Sequence, residues 1–444
     1  MARPVRCVIM RGGTSKAVFL READLPVSPQ ARLKTILAIF GSPDTRQIDG
    51  LGGADPLTSK LAIIGPVRAG VPRAAHTHLT YTFGQVEIDA PAVDYISLCG
   101  NISSAVGAYA VYEGLVEPTE PVTVVRVYNT NLDRVLTLEV PVKGGRPLEY
   151  GDYSVPGVPG TGAKILVDLS DTAGAATGSL LPTGCAVDRL EVAGVGAIDV
   201  SLVDIGNAHV FVRARDVGLA GTETAAEIDQ DTDLAHRLER IRGAAALRMK
   251  MVSSADRSRE DSPATPLLAI VSPPAAYRNE IGRRTVEAEE SDLVSRLMFM
   301  QRVHKTYAGT STVCTGVASR IPGTLVHEVT RRDRPARHTV ADGVVRADEV
   351  LRNDAIENDA IEHAALENNA SESGAVKKSA VKRHALENDV LEKTVRIGHP
   401  AGVIETEARV EQRGDGFVVR RATLGRTARR ILEGYVYVPD AECS

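Results

Sequence analysis

Residues 98–114, LCGNISSAVGAYAVYEG, place a cysteine directly before a helix, and the rest of the chain is organised around this stretch. Four apolar residues recur at the spacing of one helical face, namely Ile102, Ala105, Val106 and Tyr109. Asn101 is a favourable N-cap residue, so we expect Cys99 just before the first turn. Free N–H groups there favour negative charge, which suits a reactive thiol or a bound carboxylate. The competing interpretation is a buried cysteine without a chemical role.

A second stretch, residues 49–66, places a lysine between a loop and a strand. Its sequence, DGLGGADPLTSKLAIIGP, runs from a Gly/Pro-rich loop into the apolar segment LAIIGPV at 61–67, and Lys60 stands at the junction. In a desolvated cleft the pKa of a lysine falls toward neutral, and the amine becomes a usable base. Most lysines are solvated, so the residues alone leave both interpretations open.

The composition is that of a globular chain without an electrostatic signature of nucleic-acid binding. The 444 residues are 43% apolar and 25% charged with a net charge of −5, and Lys and Arg form no stripe interleaved with aromatic residues. The length favours two domains. No apolar run has the length of a membrane span, and the N-terminus lacks the apolar region of a secretory signal. We therefore expect no nucleic-acid partner, no membrane attachment and a cytoplasmic location.

The cysteines favour neither a disulfide framework nor a metal site. They stand at positions 7, 99, 185, 314 and 443, an odd number with wide spacings and no CxxC pair. His76 and His78 lie two residues apart, but no third ligand is near in sequence. A reducing compartment without a bound metal is the simplest expectation.

The first half is predicted to be rich in β-strands around one central helix at 101–113. An amphipathic helix is also expected at 29–40, ended by Gly41. Between two early strands, the turn RGGTSK at 11–16 offers backbone N–H groups and hydroxyls to an anion, although most such turns are plain hairpins. The side chains of this turn that could contact an anion are Arg11, Thr14, Ser15 and Lys16.

The second half repeats this order of elements. GNAHVFVRA at 206–214 is a turn into a strand, a helix is expected at 231–251, and residues 291–309 are predicted to be helical. The polar segment 310–324 then enters a short helix that contains Cys314. A cysteine at a turn-to-helix junction in each half suggests an internal duplication with the active site at the pseudo-dyad.

Residues 351–395 differ from the rest of the chain. Apolar residues recur there every five positions, at Leu351, Ile356, Ile361, Leu366, Val376, Val381, Leu386 and Leu391. A five-residue step does not produce one apolar helical stripe. We interpret the segment as an expanded low-complexity repeat inserted in a surface connection. A partner-binding arm is the less favoured alternative.

Taken together, several motifs in the correct order resemble the PrpF/methylitaconate-isomerase family, relatives of diaminopimelate epimerase. They are RGGTSKAVFL, IDGLGGADPLTSKLAIIGP, LCGNISSAVGAYAV, VDIGNAHVFVRARDVGLAGTE, IRGAAALRM, IPGT, IGHPAGV and RTARRILEGYVYVP. The resemblance implies an α/β fold of the diaminopimelate epimerase type, with two pseudo-symmetric domains that each roll a β-sheet around a central helix. We place these domains at 1–198 and 199–430, with a C-terminal strand at about 430–444 returning to the first.

The resemblance also implies an activity. Members of this family move a proton along an allylic system in small di- and tricarboxylates without a cofactor. Lys60 in TSK and Cys99 in CGN match the family's proton-transfer pair, in which either residue could be the base. The substrate-binding residues expected with them are Thr14, Ser15, Lys16, Gly100, Asn101, Asn207, Gly309, Thr310 and Ser311. Cys314 departs from the family pattern and is expected to pack behind the site, and His304 and His399 are assigned structural roles.

Four functions fit these residues. The first is a 2-methylaconitate cis-trans isomerase-like enzyme, and the second is a 4-oxalomesaconate tautomerase or an aconitate or methylitaconate Δ-isomerase. The third is an amino-acid epimerase with two facing thiols, which requires Cys314 to be as important as Cys99. The last is a non-catalytic tricarboxylate-binding accessory protein. The sequence leaves the oligomeric state open, and a homo-oligomer is compatible with it.

Overall fold

The computed structural model describes residues 2–68, 70, 76–331, 394–414 and 416–439. The predicted insertion at 351–395 lies outside these residues except for its last two, Thr394 and Val395, which belong to a strand. Nothing in the described part therefore bears on the five-residue repeat. The predicted boundary between residues 198 and 199 falls within a strand, and the division into two domains stays a prediction.

The strands of the first half are β1 (Arg3–Gly12), β2 (Ser15–Arg21), β3 (Lys60–Gly65), β4 (Leu79–Val86), β5 (Val93–Asp94), β6 (Val122–Asn129), β7 (Arg134–Lys143), β8 (Arg146–Pro147) and β9 (Ile165–Asp168). Those that follow are β10 (Asp188–Val192), β11 (Gly196–Ile205), β12 (Asn207–Arg213), β13 (Leu267–Ser272), β14 (Tyr277–Arg278), β15 (Thr285–Val286), β16 (Leu293–Phe299), β17 (Arg302–Val303), β18 (Thr394–His399), β19 (Gly402–Arg413), β20 (Gly416–Arg426) and β21 (Ala428–Val438).

The helices in the described residues are α1 (Pro29–Phe40), α2 (Gly100–Tyr112), α3 (Ala225–Gln230), α4 (Thr232–Arg248), α5 (Ser258–Asp261), α6 (Gly309–Ala318) and α7 (Leu325–Val329). Gly41 ends α1 with φ of 72°, a left-handed conformation that glycine adopts without strain. Asp231 caps α4 by accepting a hydrogen bond from the Leu234 N–H at 2.8 Å. No helix of the described residues has the length and apolar character needed to cross a membrane.

Strand pairing follows the same order twice. In the first half β21 pairs with β1, and the chain of pairs continues through β2, β3, β4, β6, β7 and β9. In the second, β10 pairs with β11, and the pairs continue through β12, β13, β16, β18, β19 and β20. The third and fifth pairs are parallel in both series, and the other pairs are antiparallel. This correspondence makes the two halves topological copies of each other.

Each series of strands packs around one buried helix. Helix α2 contacts β1, β7 and β9, and every residue from Gly100 to Val111 is buried. Helix α6 contacts β19, β20 and β11, and all of its ten residues are buried. The predicted central helix is therefore confirmed, with a start one residue earlier than expected. Strand β20 pairs with both β9 and β19, which joins the two series.

The helix predicted at 291–309 is wrong. Residues Leu293–Phe299 form strand β16, which lies between β13 and β18. Six of its seven residues are buried, because β16 is covered on both faces. A strand buried on both faces is apolar without alternation, and periodicity alone does not separate it from a buried helix.

The two central helices meet end to end at their first residues. A Cβ built on Gly309 would lie 2.9 Å from the carbonyl carbon of Gly100, and one built on Gly100 would lie 3.0 Å from the Thr310 nitrogen. Only glycine leaves room for two backbones at this distance. The N-termini of α2 and α6 are therefore held in direct backbone contact.

We predict that Gly309→Ala destabilises the protein by about 1–3 kcal/mol, because the added methyl group forces the two helix ends apart. Gly434→Ala is the matched control, since a Cβ at Gly434 meets no atom within 4 Å. Urea denaturation of both variants measures the free energy of unfolding. Equal stabilities of the two variants would contradict the packing described above.

Candidate functional site

Cys99 is the N-cap residue of α2, and its side chain makes no capping hydrogen bond. Its thiol is partly exposed, and its carbonyl oxygen accepts hydrogen bonds from the backbone and hydroxyl of Ser103. The prediction that Asn101 caps the helix is wrong, because Asn101 is the second helical residue. The Asn101 amide instead donates to Thr14 Oγ1 at 3.1 Å and accepts from Arg426 Nε at 2.8 Å.

Cys314 does not occupy the position equivalent to Cys99. It is the sixth residue of α6, fully buried, and its Sγ lies 3.7 Å from the Val203 carbonyl oxygen. Burial raises the pKa of this thiol well above its ordinary value. The residue that matches Cys99 is Ala308, the N-cap of α6. The expectation of two cysteines at equivalent junctions is therefore wrong, because α6 begins five residues before Cys314.

Lys60 is buried at the first residue of β3. Its Nζ donates to Gln85 Oε1 at 2.6 Å, and the Gln85 amide nitrogen donates to the carbonyl oxygens of Pro56 and Ser59 at 3.2 Å each. Those two bonds fix which end of the Gln85 amide faces the lysine. Among the described residues no carboxylate lies within 4.0 Å of the Lys60 nitrogen, which is enclosed by the rings of Phe83 and Phe299.

Burial lowers the pKa of Lys60, because the ammonium form loses its hydration in this setting. A negative charge on Cys99 would raise the pKa of Lys60, as would the carboxylates of Asp55 and Asp94. The protonation states of Lys60 and Cys99 are thus coupled: a thiolate favours an ammonium.

The topologically equivalent positions in the other half are apolar. Lys60 begins β3 and pairs with Gln85, whereas Leu267 begins β13. In the second half β13 pairs with β16, the strand that ends at Phe299. Lys60 and Cys99 therefore both belong to the first half, and their counterparts in the second half, Leu267 and Ala308, are apolar.

A small cavity joins these groups at the point where α2 and α6 meet, and its volume is about 30 Å³. The predicted site residues that line it are Ser15, Lys60, Cys99, Gly100, Asn101, Asn207, Gly309 and Thr310. The remaining lining residues are Phe83, Ser97, Leu98, Leu267, Phe299, His304 and Ala308.

Three predicted residues lie outside the cavity lining. Lys16 follows Ser15 along β2, so its side chain points to the opposite face of the strand. Thr14 contacts the site through Asn101, as described above. Ser311 Oγ bonds to His209 Nε2 at 2.7 Å in the buried interior of the second half. Arg11, which belongs to the turn expected to contact an anion, donates instead to the carbonyl oxygens of Gly13 and Thr427 at 2.9 Å.

Asn207 positions the segment that carries the cysteine. Its Oδ1 accepts from the Leu98 N–H at 2.9 Å, and its Nδ2 donates to the Leu98 carbonyl at 3.0 Å and to Thr310 Oγ1 at 3.1 Å. The residue before Cys99 is thereby held by a side chain from the second half.

The buried hydroxyl of Ser15 has no hydrogen-bond partner in the described residues and faces the cavity. It is free to bind a ligand oxygen.

Two residues near the cavity were missed as functional residues. His304, assigned a structural role, forms part of the cavity wall. Arg426 lies behind the cavity with 1% of its surface exposed, and it bonds to Asn101 in α2 and Thr312 in α6. Arg426 stands in RTARRILEGYVYVP, a motif that carried the resemblance but gave no individual role to its residues. His399 is fully buried within the fold.

A groove of about 920 Å³ adjoins the cavity and shares Phe299 and His304 with it. Asp55 and Lys305 both line this groove and form a salt bridge at 3.0 Å. In the described part of the chain no group of three or more His, Cys, Asp or Glu residues is arranged to hold a metal ion.

Comparison with known proteins agrees with the resemblance stated from the sequence. The family model described as PrpF protein matches residues 2–364 and 357–439. A 3-methylitaconate isomerase from Eubacterium barkeri is 45% identical over 99% of this chain and 98% of its own. A 2-methyl-aconitate isomerase from Shewanella oneidensis is 33% identical over 98% of this chain and 97% of its own.

Solved structures agree with the predicted α/β class and epimerase-like fold. A methylitaconate-delta-isomerase structure superposes with a TM-score of 0.73 at 44% identity, covering 99% of this chain and 97% of that chain. A hydroxyproline epimerase from Agrobacterium vitis has a TM-score of 0.51 at 9% identity, covering 99% of this chain and 94% of that chain, which shows a shared fold. The chain belongs to the PrpF protein family of isomerases.

Proposed function

We propose that this chain is a cofactor-independent isomerase that shifts a proton along the allylic system of a small unsaturated di- or tricarboxylate, with Lys60 and Cys99 as the proton-transfer pair. The observation that carries this proposal is a single cavity lined by a desolvated lysine, a cysteine and the first residues of two helices. The substrate is anionic, and removal of its proton places further negative charge on the conjugated carboxylate.

The charges around the cavity suit that intermediate. The first residues of α2 and α6 line the cavity, and the N-terminus of each helix carries partial positive charge. Arg426 adds a buried cation without a described carboxylate within 4.0 Å, and Lys60 becomes a second buried cation once it has accepted the substrate proton. Fixed donors of this kind stabilise a developing dienolate without rearranging during the reaction.

Lys60 is the base in this proposal. Burial favours its neutral amine, which can donate one N–H to Gln85 and still present its lone pair to the substrate. The amine takes the allylic proton and becomes an ammonium, and the substrate electrons move into the conjugated carboxylate. The Cys99 thiol then gives its proton to the far carbon and becomes a thiolate. A proton moving from the ammonium to the thiolate, directly or through solvent, restores both groups.

Two substrates deserve the first tests. The sequence analysis puts 2-methylaconitate first, which is a tricarboxylate, and the Shewanella oneidensis relative is named for that compound. The 45% identity with the 3-methylitaconate isomerase favours the dicarboxylate 3-methylitaconate as the second candidate. A cytoplasmic location, a homo-oligomer and the two-domain division stay part of the proposal.

We predict that the protein incorporates deuterium from D2O into the allylic positions of one of these substrates, as followed by proton NMR. Lys60→Ala and Cys99→Ser should each lower kcat/KM by about 100-fold or more, because each removes one proton-transfer group. Cis- and trans-aconitate and 4-oxalomesaconate complete the substrate panel.

Cys314→Ser is the matched control for Cys99→Ser. It changes the same atom at a buried position, and we expect it to retain kcat/KM within severalfold at a temperature where it is folded. An equal loss in the two cysteine variants would favour the two-thiol epimerase. Tight binding of a tricarboxylate without exchange in any compound would favour the accessory protein.

We also predict that kcat/KM rises with pH through a pKa below 10.5, the ordinary value for lysine, because the neutral amine is the reactive form. Asp94→Asn should move this rise to lower pH, since the Asp94 carboxylate raises the pKa of Lys60. Asp89→Asn, at an exposed position outside the groups that act on Lys60, should leave the profile unchanged. An upward shift in Asp94→Asn would contradict the assignment of Lys60 as base.

A further inference from the structure

Arg426 is a buried cation held by neutral acceptors. Its guanidinium donates to Asn101 Oδ1 at 2.8 Å, to the Gly425 carbonyl oxygen at 2.8 Å and to Thr312 Oγ1 at 3.4 Å. Two other buried arginines are paired with carboxylates, Arg396 with Asp292 at 2.8 Å and Arg242 with Glu239 at 2.6 Å, whereas the buried Arg296, like Arg426, donates to neutral acceptors. An arginine can only donate, so the bond to Asn101 has one direction.

A chain of hydrogen-bonded side chains leads from Arg426 to His304. Because Asn101 Oδ1 accepts from Arg426, its Nδ2 is the end that donates to Thr14 Oγ1 at 3.1 Å. Thr14 and Thr306 are joined through their hydroxyl oxygens at 3.1 Å, and Thr306 Oγ1 lies 3.3 Å from His304 Nδ1. Either threonine hydroxyl can be the donor in the bond between them, and donation from Thr306 Oγ1 to His304 is the direction that fits an unprotonated Nδ1.

The last member of the chain has only one consistent neutral form. The backbone N–H of Thr306 donates to His304 Nδ1 at 3.2 Å, and a backbone N–H cannot accept. Nδ1 is therefore unprotonated, and the proton of the neutral ring is on Nε2. Burial, together with the nearby charge of Lys60, lowers the pKa of His304 to about 4, so the ring stays neutral at ordinary pH.

We propose that His304 is a further catalytic residue: a neutral imidazole whose Nε2–H donates a hydrogen bond to the anionic substrate, held in that tautomer by the Thr306 backbone N–H and linked to Arg426 through the side chains of Thr306, Thr14 and Asn101. The ring forms part of the wall of the cavity that contains Lys60 and Cys99. Its Nε2 has no hydrogen-bond partner among the described residues, so the donor is free for a ligand.

This role rests on the proposed function and adds a specific donor to it. A neutral imidazole donates to a developing enolate oxygen without giving up its proton, so it stabilises the charge while Lys60 and Cys99 move the proton. Thr306 acts through His304 and is a positioning residue. The chain draws its members from four separate segments of the sequence, and it spans both halves of the fold.

The tautomer can be read without any substrate. Nitrogen-15 NMR of protein labelled at histidine, with the His304 signals assigned by their absence in His304→Gln, distinguishes the two ring nitrogens. We expect a protonated Nε2 and an unprotonated Nδ1 from pH 5.5 to 9, and a shift of the Nε2 signal when propane-1,2,3-tricarboxylate is added. The proposal would be overturned by a protonated Nδ1, by titration of the His304 ring near pH 6.5, or by an Nε2 signal that does not shift when the tricarboxylate is added.

Kinetic measurements then distinguish hydrogen-bond donation by His304 from a purely structural role of this residue. His304→Leu should lower kcat by about 100-fold with a smaller change in KM, the effect of removing one oxyanion donor. His304→Gln should recover part of that loss, since its amide offers an N–H of similar reach. Thr306→Val keeps the backbone bond but removes the hydroxyl, and it should lower kcat while leaving the tautomer unchanged in the NMR spectrum.

The outcomes separate this inference from the proposed function. Normal turnover in His304→Leu would overturn the donor role while leaving Lys60 and Cys99 as the proton-transfer pair. No turnover of any substrate in the unmodified protein would reject the proposed reaction. In that case the expected tautomer and the Nε2 response to propane-1,2,3-tricarboxylate would still support His304 as an anion-binding donor.

Discussion

The backbone contact between Gly100 and Gly309 is the constraint on which the rest of the site depends. It brings together the positive ends of two buried helices, each wrapped by its own series of strands. Two helix dipoles whose positive ends meet head to head repel each other, so this arrangement costs free energy when the site is empty. An anion in the cavity offsets that repulsion, as do the hydrogen bonds from Asn207 that hold the junction in place.

The fold is a structural duplication in which the chemistry is not duplicated. The first half carries Lys60 and Cys99, whereas the equivalent positions of the second are Leu267 and Ala308. The rings of Phe83 in the first half and Phe299 in the second lie 5.3 and 5.5 Å from the Lys60 amine and exclude water from it. Both halves therefore contribute to the burial that lowers the pKa of this lysine.

Local sequence patterns predicted the site residues that stand at the ends of regular elements. Cys99 and Lys60 each stand at a junction between a glycine-rich segment and a regular element, and both line the cavity. Strand β16 was predicted as a helix because an apolar run buried on both faces carries no distinguishing period. The roles of His304 and Arg426 could not be predicted in the same way. They depend on a chain of hydrogen bonds in which Asn101 contacts Thr14, 87 positions away, and Arg426, 325 positions away. No local sequence pattern records such contacts.

The most direct test of the account is a crystal structure of the Lys60→Ala variant with unreacted 2-methylaconitate or 3-methylitaconate bound. We predict that a substrate carboxylate accepts hydrogen bonds, within about 3.2 Å, from N–H groups in the first turns of α2 and α6. The allylic carbon should then lie between the vacated lysine position and the Cys99 sulfur. A substrate bound only in the groove beside Asp55 and Lys305, away from both helix ends, would contradict the account.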